Sequence, residues 1–467
     1  MSRNVVLICL DAVRKDYFDR NAPRTRAAAD LAIDGCRAAS PWTVPSHGSA
    51  FTGRLPSETG IYDPDVDFGT LEGDTFLSVL SDHTTIGVSA NPWLSSTFGF
   101  DSLFDRFEYA DYGTLFSAGM DAREFVDRVP DAGLQRGARL LREAAAHDHP
   151  AKSVANAVAA KVRSRTTRFG VPALTDDGAG TVSRRLREAT DEVEDPFFAY
   201  VNLMDGHDTH RPHVRLDRDR YSAPVDWDST GVNKWAYNAD PSRREPTYLR
   251  RYRELYAANI AYLDSVLADL FEYFAATPRE TTVIVTADHG ENLGYAADDG
   301  LIEHVGSLTE ALLHVPLYVI NPPEGLRIGD GYVSQLELGR LVRAAANDDP
   351  DAASDLARER IPAELVGTRL PSMDRADADL DTDYWSRSIR AVYEGERKYQ
   401  WDSLDNRYEY AIDAGRPCWQ NRVADGIEIP PEAHDLFATE IGSVDPDGAA
   451  ADVDGDTASR LRDLGYL

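Results

Sequence analysis

Several short apolar runs, each ending on polar side chains, constrain this chain more than any other feature. Residues 4–10 form a continuous run, and residues 84–89, 196–204 and 281–286 repeat the pattern between stretches of helical periodicity. Runs without polar alternation mark strands covered on both faces, the habit of a parallel sheet. Residues 315–320 read as a further strand. A chain of 467 residues can bury a large core, so one big α/β domain plus a smaller one is expected.

Open α/β sheets bind ligands beyond the carboxyl ends of their strands, and that is where the polar residues stand. Asp11 follows the first run, where it suits a ligand site or a cap for the next helix equally. Asp205, His207, Asp208, His210 and His213 follow the run 196–204. A site is the reading taken for His207, whereas His210 and His213 stay open between a site and a local salt-bridge knot. Asp288 and His289 follow 281–286, and Gly290 permits a tight turn on which both can face one ion. Asn91-Pro92-Trp93 reads as a plain loop, and Arg14 with Asp16 as a local pair or a solvated surface pair.

Residues 41–53, PWTVPSHGSAFTG, read as a turn entering a helix, with Pro45 tolerated in the first turn. Thr43 and Ser46 are hydroxyls near a helix start, where unpaired N–H groups and the dipole favour an anion. Taken alone, Thr43 is a cap. Asp11, Asp288 and His289 shift it toward chemistry.

Helices are expected near 23–35, 75–80, 251–274, 307–314 and 336–346. In the 251–274 helix, Leu255, Ile260, Leu263, Val266, Leu267 and Leu270 mark a core-facing stripe. Residues 110–194, rich in Ala, Arg and Glu, read as a helical insertion or lid without a chemical signature. Runs at 388–393 and 399–402 suggest a small antiparallel unit closed by a helix at 457–464. The expected division is 1–370 for the large domain and 371–467 for the small one.

Asp plus Glu number 79 against 49 Lys plus Arg, a net charge of −30. That excess opposes unaided binding to nucleic acid or an anionic membrane, and suits a surface kept solvated in high salt. Cys9, Cys36 and Cys418 give no disulfide framework and read as small core residues. The apolar run 5–10 is too short for a leader, and no stretch is long enough to span a bilayer. A soluble, cytoplasmic chain is expected.

Taken together, LDAVRKD (10–16), TVPSHGSAFTGRLPSETG (43–60), PFFAYVNLMDGH (196–207), TADHGENLG (286–294) and EHVGSLTEALLHVPLYV (303–319) resemble a sulfatase-type member of the alkaline phosphatase superfamily. The closing LRDLGYL (461–467) is also similar to the end of many such proteins. The resemblance implies an alkaline phosphatase-like three-layer α/β/α sandwich with a mostly parallel central sheet and a small C-terminal antiparallel α+β subdomain. It implies metal-dependent cleavage of a sulfate or phosphate ester through a covalent intermediate. Position by position, Asp11, Asp288 and His289 would bind the metal, with Thr43 both ligand and nucleophile. His207 and His304 would hold the anion or protonate the leaving oxygen, and Ser46, His47 and His210 would lie against the substrate. Carboxylates, an imidazole and a hydroxyl suit manganese, magnesium or zinc, and calcium less well. One ion is expected, a second needing ligands such as Asp205, His207 and His304.

The departures from the pattern narrow the substrate. Sulfatases place a cysteine or serine, oxidised to an aldehyde, where this chain has Thr43, and His47 replaces the arginine that assists it. Ala12 stands where many sulfatases carry a second metal-binding aspartate, and His289 where many have asparagine. No Gly-Lys-Trp-His stretch supplies the usual substrate lysine. Thr43 and the Asp-His pair resemble instead the phosphodiesterases and phosphoglycerol-type transferases of the superfamily. A phosphoester of a small molecule, glycan or lipid headgroup is the expected substrate. The alternatives are a sulfatase and a non-catalytic anion-binding protein.

Overall fold

The first apolar run becomes the middle of the sheet. In the computed structural model, which describes residues 2–64, 66–110, 119–120, 125, 134–166, 172–367, 370–376, 378–443, 457 and 460–461, β1 (Asn4–Leu10) is buried along its whole length. The other strands of this sheet are β2 (Leu31–Ala32), β3 (Thr84–Ser89), β4 (Arg106–Tyr109), β5 (Phe197–Leu203), β6 (Thr281–Ala287) and β7 (Leu317–Ile320). Their order is β2-β7-β6-β1-β5-β3-β4. From β6 to β4 the pairs are parallel, while β7 runs antiparallel to both β6 and β2.

Helices cover both faces, which is why the central strands carry no polar alternation. One layer holds α1 (Lys15–Asn21), α2 (Pro23–Ala28), α4 (Ala179–Asp191) and α5 (Pro246–Ala275). The other holds α3 (Thr43–Thr52) and α6 (Leu338–Ala346). Together they make the three-layer α/β/α sandwich. The stripe expected on α5 is buried at every one of its six positions.

Several boundaries differ from the sequence reading, each for a tertiary reason. The helix expected over 23–35 ends at Ala28. Leu31 and Ala32 pair with the edge strand β7 instead, and Asp30 accepts the Asn321 amide at 2.8 Å. The helix expected over 307–314 shrinks to Glu310–Leu313, because the Leu308 carbonyl and the Thr309 hydroxyl bond to Lys398 and Asn292. Of the expected insertion 110–194, Leu134–Ala146 and Pro150–Thr166 are helices packed on each other, whereas α4 belongs to the main sandwich. Of the closing helix 457–464, Thr457, Arg460 and Leu461 are helical, and its remainder lies outside the described residues.

The small antiparallel sheet is a meander of β8 (Arg360–Leu365), β9 (Ile389–Glu394), β10 (Arg397–Asp402), β11 (Arg407–Ile412) and β12 (Gln420–Asp425). Its first strand therefore starts before residue 371. That strand is pinned beside the entry to α3: the Glu364 amide donates to the Ala39 carbonyl at 2.8 Å, and the Ser40 hydroxyl donates to the Glu364 carbonyl at 2.8 Å. Among the described residues no helix is long and apolar enough to cross a membrane. All three cysteines are free and buried.

Arg14 and Asp16 are not a solvated surface pair. Arg14 is buried, 2.9 Å from Asp16 and 2.9 Å from Asp298, and also donates to the Glu291 carbonyl at 3.2 Å. The guanidinium ties the segment after β1 to the loop after β6. Removing it strands two carboxylates in the interior, so Arg14→Met is expected to cost roughly 3–5 kcal/mol. Urea denaturation monitored by fluorescence measures this, and an unchanged midpoint would contradict the assignment.

Candidate metal centre

The register of the sheet brings the site together. Leu10 lies opposite both Leu203 and Ala287, so β1, β5 and β6 end level and Asp11 leaves the sheet beside Asp288. Close backbone approach is built in at two glycines. A Cβ at Gly206 would stand 2.5 Å from the Asp11 carbonyl oxygen, and one at Gly290 would stand 2.0 Å from that of Ala311. Only glycine fits either place.

Asp11, Asp288 and His289 are all buried and bring one ligand atom each within 4.8 Å of one another. Each carboxylate has one oxygen held and one unmet. Asp11 Oδ2 accepts from Asn91 at 2.6 Å, and Asp288 Oδ1 accepts from the amides of Ala12 at 3.2 Å and His289 at 2.9 Å. Asp11 Oδ1 and Asp288 Oδ2 are buried without a hydrogen bond. His289 Nδ1 donates to the Gly290 carbonyl at 2.8 Å, which leaves the Nε2 lone pair facing the carboxylates, 3.5 Å from Asp288 Oδ2 and 4.0 Å from Asp11 Oδ1. Two orphaned carboxylate oxygens and a tautomer-fixed imidazole are a donor set that fits a divalent cation.

The electrostatics agree. Burial, and then its neighbour Asp288, push Asp11 up to about 6, and burial pushes Asp288 up to about 7. Burial also lowers His289 to about 4, so its imidazole is neutral and able to ligate at neutral pH. Two carboxylates that resist ionisation in each other's presence are relieved by a cation between them.

Thr43 is the first residue of α3, and its Oγ1 lies 3.5 Å from His289 Nε2 and 3.5 Å from Asn91 Nδ2. Pro45 has no N–H and the Ser46 amide bonds the Trp42 carbonyl at 3.2 Å, while the amides of Thr43 and Val44 have no backbone partner among the described residues. The expected substrate contacts on this helix are turned elsewhere. The Ser46 hydroxyl donates to the Ser40 carbonyl at 2.8 Å. His47, held neutral by burial at about 4, donates from Nδ1 to the Thr43 carbonyl at 2.8 Å and accepts from the Tyr200 hydroxyl at Nε2. His47 braces the helix start.

His304 joins the metal group through its ring, 4.6 Å from the His289 ring and 4.9 Å from that of His207. Its Nδ1 stands 3.2 Å from Glu291, and burial drives His304 down and Glu291 up, each toward its neutral form. His210 is set apart, packed on Tyr252 and Tyr256 with Nδ1 3.3 Å from Asn259. His213 bonds the same asparagine at 3.2 Å. The second-ion set does not assemble, because Asp205 turns away to accept the amides of Asp177 at 3.1 Å and Ala179 at 2.9 Å, capping α4.

Sequence reasoning missed Asn91, Glu291 and Lys234. Lys234 lies 2.9 Å from Glu303, and its charge contributes to the lowered His304. Asn91 was the legible one: like Asp11 and Asp288 it stands just past the carboxyl end of a buried strand.

Fold and site thus point to a hydrolase or transferase class with a candidate divalent-metal centre, and comparison with known proteins supports that class. The sulfatase family model matches residues 3–346, and the chain belongs to that family, within the sulfatase/alkaline phosphatase-like superfamily of enzymes. No curated protein matches the sequence. Among solved structures, the chain is similar to the phosphonate monoester hydrolase of Agrobacterium radiobacter, at 14% identity over 88% of this chain and 89% of that one, with a TM-score of 0.59. It is also similar to BT4656, solved with its substrate D-glucosamine-2-N,6-O-disulfate, at 13% identity over 88% and 91% with a TM-score of 0.56. A third is BT1596, a 2-O GAG sulfatase, at 12% identity over 88% and 85% with a TM-score of 0.54. At these identities the likeness concerns the fold. Members of the family bind divalent metal, and Asp11, Asp288 and His289 are the residues here that can hold it.

A carboxyl whose folded pKa exceeds its unfolded value stabilises the fold while protonated, and that stability is lost as pH rises through the folded pKa. For Asp11 and Asp288 the window runs from about 4 up to about 6 and 7. A bound cation offsets the loss above it. Chelation is therefore expected to lower the Tm more at pH 8 than at pH 5, and an equal drop at both would exclude these carboxylates as ligands. Asp288→Asn should weaken metal binding at least tenfold in calorimetry, through loss of one charged ligand.

Proposed function

We propose that the chain cleaves a phosphate ester, hydrolysing it or passing the group to a second acceptor, with Thr43 as the nucleophile. The observation that carries this reading is the Thr43 hydroxyl, 3.5 Å from His289 Nε2 at the edge of two orphaned carboxylate oxygens. A single divalent ion, manganese, magnesium or zinc, fits the three ligands; when bound it lowers the pKa of a coordinated hydroxyl and offsets charge on the transferred group.

Thr43 attacks phosphorus, forming a threonyl ester as the bond to the leaving oxygen breaks. The amides of Thr43 and Val44 offer donors at the helix start to the charged oxygens. His207 and His304 flank this space, where the neutral His304 ring holds the anion and His207 passes a proton to the leaving oxygen. Asn91 keeps both Asp11 and the Thr43 hydroxyl in place. Water or a second alcohol then takes the group from Thr43.

Phosphate is favoured over sulfate on chemical grounds. The aldehyde used by sulfatases comes from a primary carbon, whereas the methyl on the Thr43 β-carbon would limit oxidation to a ketone. The phosphonate ester named for one structural neighbour is of the same phosphorus class, and the sulfated sugar of another keeps sulfate as the rival to test.

The test is a panel of bis-p-nitrophenyl phosphate, p-nitrophenyl phosphate and p-nitrophenyl sulfate with added manganese in high salt. Turnover of the phosphates is expected, and turnover of sulfate alone would reverse the substrate assignment. Thr43→Ala is expected to abolish turnover while retaining most metal affinity. A fully active variant would remove Thr43 from the chemistry.

A further inference from the structure

The charge of this chain is not spread evenly. Residues 134–166 hold seven Lys or Arg against two Asp or Glu, in a chain whose net charge is −30. They form the helices Leu134–Ala146 and Pro150–Thr166, whose buried cluster of Phe125, Leu140, Ala144 and Ala157 is separate from the core of the sandwich. Charges are felt over a Debye length, about 8 Å in physiological salt, so the acid elsewhere on the body is screened from a surface these helices touch.

Each helix carries a second apolar stripe beside its buried one. Leu140 and Ala144 face inward, while Ala138, Leu141 and Ala145 are exposed at helical spacing, Leu141 by 47%. On the second helix Ala151 and Val158 are exposed, Val158 by 49%, on the side away from the buried Ser153, Asn156 and Ala157. Arg142 and Lys152 flank these stripes, exposed and without an ion pair among the described residues, whereas Arg139 pairs with Glu143 at 3.2 Å.

The base of the insertion repeats the pattern. Ala173 bridges His213, its amide donating to the Pro212 carbonyl at 3.0 Å and its carbonyl accepting from Val214 at 2.9 Å. That brings together Leu174 and Val214, which are 50% and 51% exposed, with the exposed Arg215 next in the chain. Four of the eight large apolar side chains exposed among the described residues thus belong to this insertion and its base. The insertion also stands at the reacting end of the sheet. The chain leaves β4 at its carboxyl end and returns at Ala173 against the loop that carries His207, and β4 runs parallel to the strands that end at Asp11 and Asp288.

A basic face striped with apolar side chains needs a partner that meets both. Nucleic acid meets only the charge, since residues 134–166 contain no Phe, Tyr or Trp on which a base could stack. The acidic surface of a second copy leaves the apolar stripes unserved. An anionic bilayer meets both, because basic side chains reach the headgroup phosphates while Leu and Val enter the boundary with the acyl chains.

We propose that this insertion docks the chain on an anionic lipid bilayer and so holds the metal centre near the surface. The net charge of −30 then orients the docking, since the acidic remainder is repelled by the same membrane. Docking in this way does not depend on turnover at Thr43.

The test is co-sedimentation of the full chain with vesicles of phosphatidylcholine alone and of an equal mixture of phosphatidylcholine and phosphatidylglycerol, at physiological ionic strength. Binding to the mixed vesicles only is expected, falling as salt is raised. Each Lys or Arg near such a surface changes partition roughly fivefold, so Arg142→Gln with Lys152→Gln should weaken binding at least tenfold. Leu141→Gln with Val158→Gln should weaken it about tenfold through lost apolar burial. Arg397→Gln with Arg422→Gln, on the C-terminal sheet, is the control and should leave binding unchanged. All six positions are exposed, so each variant is expected to keep the circular dichroism spectrum of the parent. Failure to bind mixed vesicles, equal binding to both kinds, binding to a single-stranded oligonucleotide in place of vesicles, or a control loss as large as the others would each overturn the proposal. A chain that docks without turnover keeps the docking and loses the reaction, and one that turns over soluble phosphoesters without docking loses only the docking.

Discussion

Two carboxylates forced into one buried space are the constraint on which the structure turns. Burial lifts both Asp11 and Asp288 above the usual carboxylate range, and the Asp288 charge lifts Asp11 further. The fold tolerates this because each keeps one oxygen bonded, Asp11 to the side chain of Asn91 and Asp288 to the backbone of Ala12 and His289. The other two oxygens have no such relief. Ala12 itself sits at φ 57°, a strained turn for a residue with a Cβ, and that turn aims its amide at Asp288. Backbone strain and carboxylate repulsion at one point mark a site shaped for binding rather than for stability.

Much of the frame was legible because it is written locally. A strand covered on both faces must be apolar throughout, so β1, β3, β5 and β6 stand within a residue or so of where their runs end. Asp11, Asp288 and His289 were legible for the same reason, as polar residues placed immediately past those runs. What the sequence concealed is cross-chain. Nothing near Arg14 announces Asp298, 284 residues away, and nothing near Asn91 announces Asp11, 80 residues away. Residues such as 29–35 failed differently: their local preference is helical, and an open sheet edge at β7 offered the backbone a better set of partners. The resemblance implies a substrate contact for His47, and its position four residues after Thr43 is what lets its ring bond the Thr43 carbonyl.

The C-terminal sheet is coupled to the site through the backbone. Glu364 on β8 holds the carbonyl of Ala39 and the hydroxyl of Ser40, Ser40 in turn accepts from Ser46, and Thr43 lies between the two serines. Its side chain is not spare either, since it pairs with Arg390 at 2.8 Å and accepts the Ser57 amide at 3.0 Å. A second anchor is the buried cluster of Arg37, Glu310, Tyr393 and Lys398, in which Arg37 and Glu310 stand 3.0 Å apart. Ion pairs this deep gain little net stability over apolar packing, but they allow one arrangement and penalise others strongly. They fix the small sheet in a single pose against the body.

That coupling separates two tasks that one loop could not perform together. The reacting group requires a rigid array, which the level ends of β1, β5 and β6 provide. Recognition of the rest of a substrate requires a surface free to vary, and strand positions on a separate antiparallel sheet change side chain without moving the backbone that carries Thr43. The contacts that hold β8 to residues 39 and 40 run through main-chain atoms on both sides of the interface, apart from the Ser40 hydroxyl. Side chains on β10 to β12 outside the Lys398 and Gln420 anchor can therefore be exchanged while Thr43 stays 3.5 Å from His289.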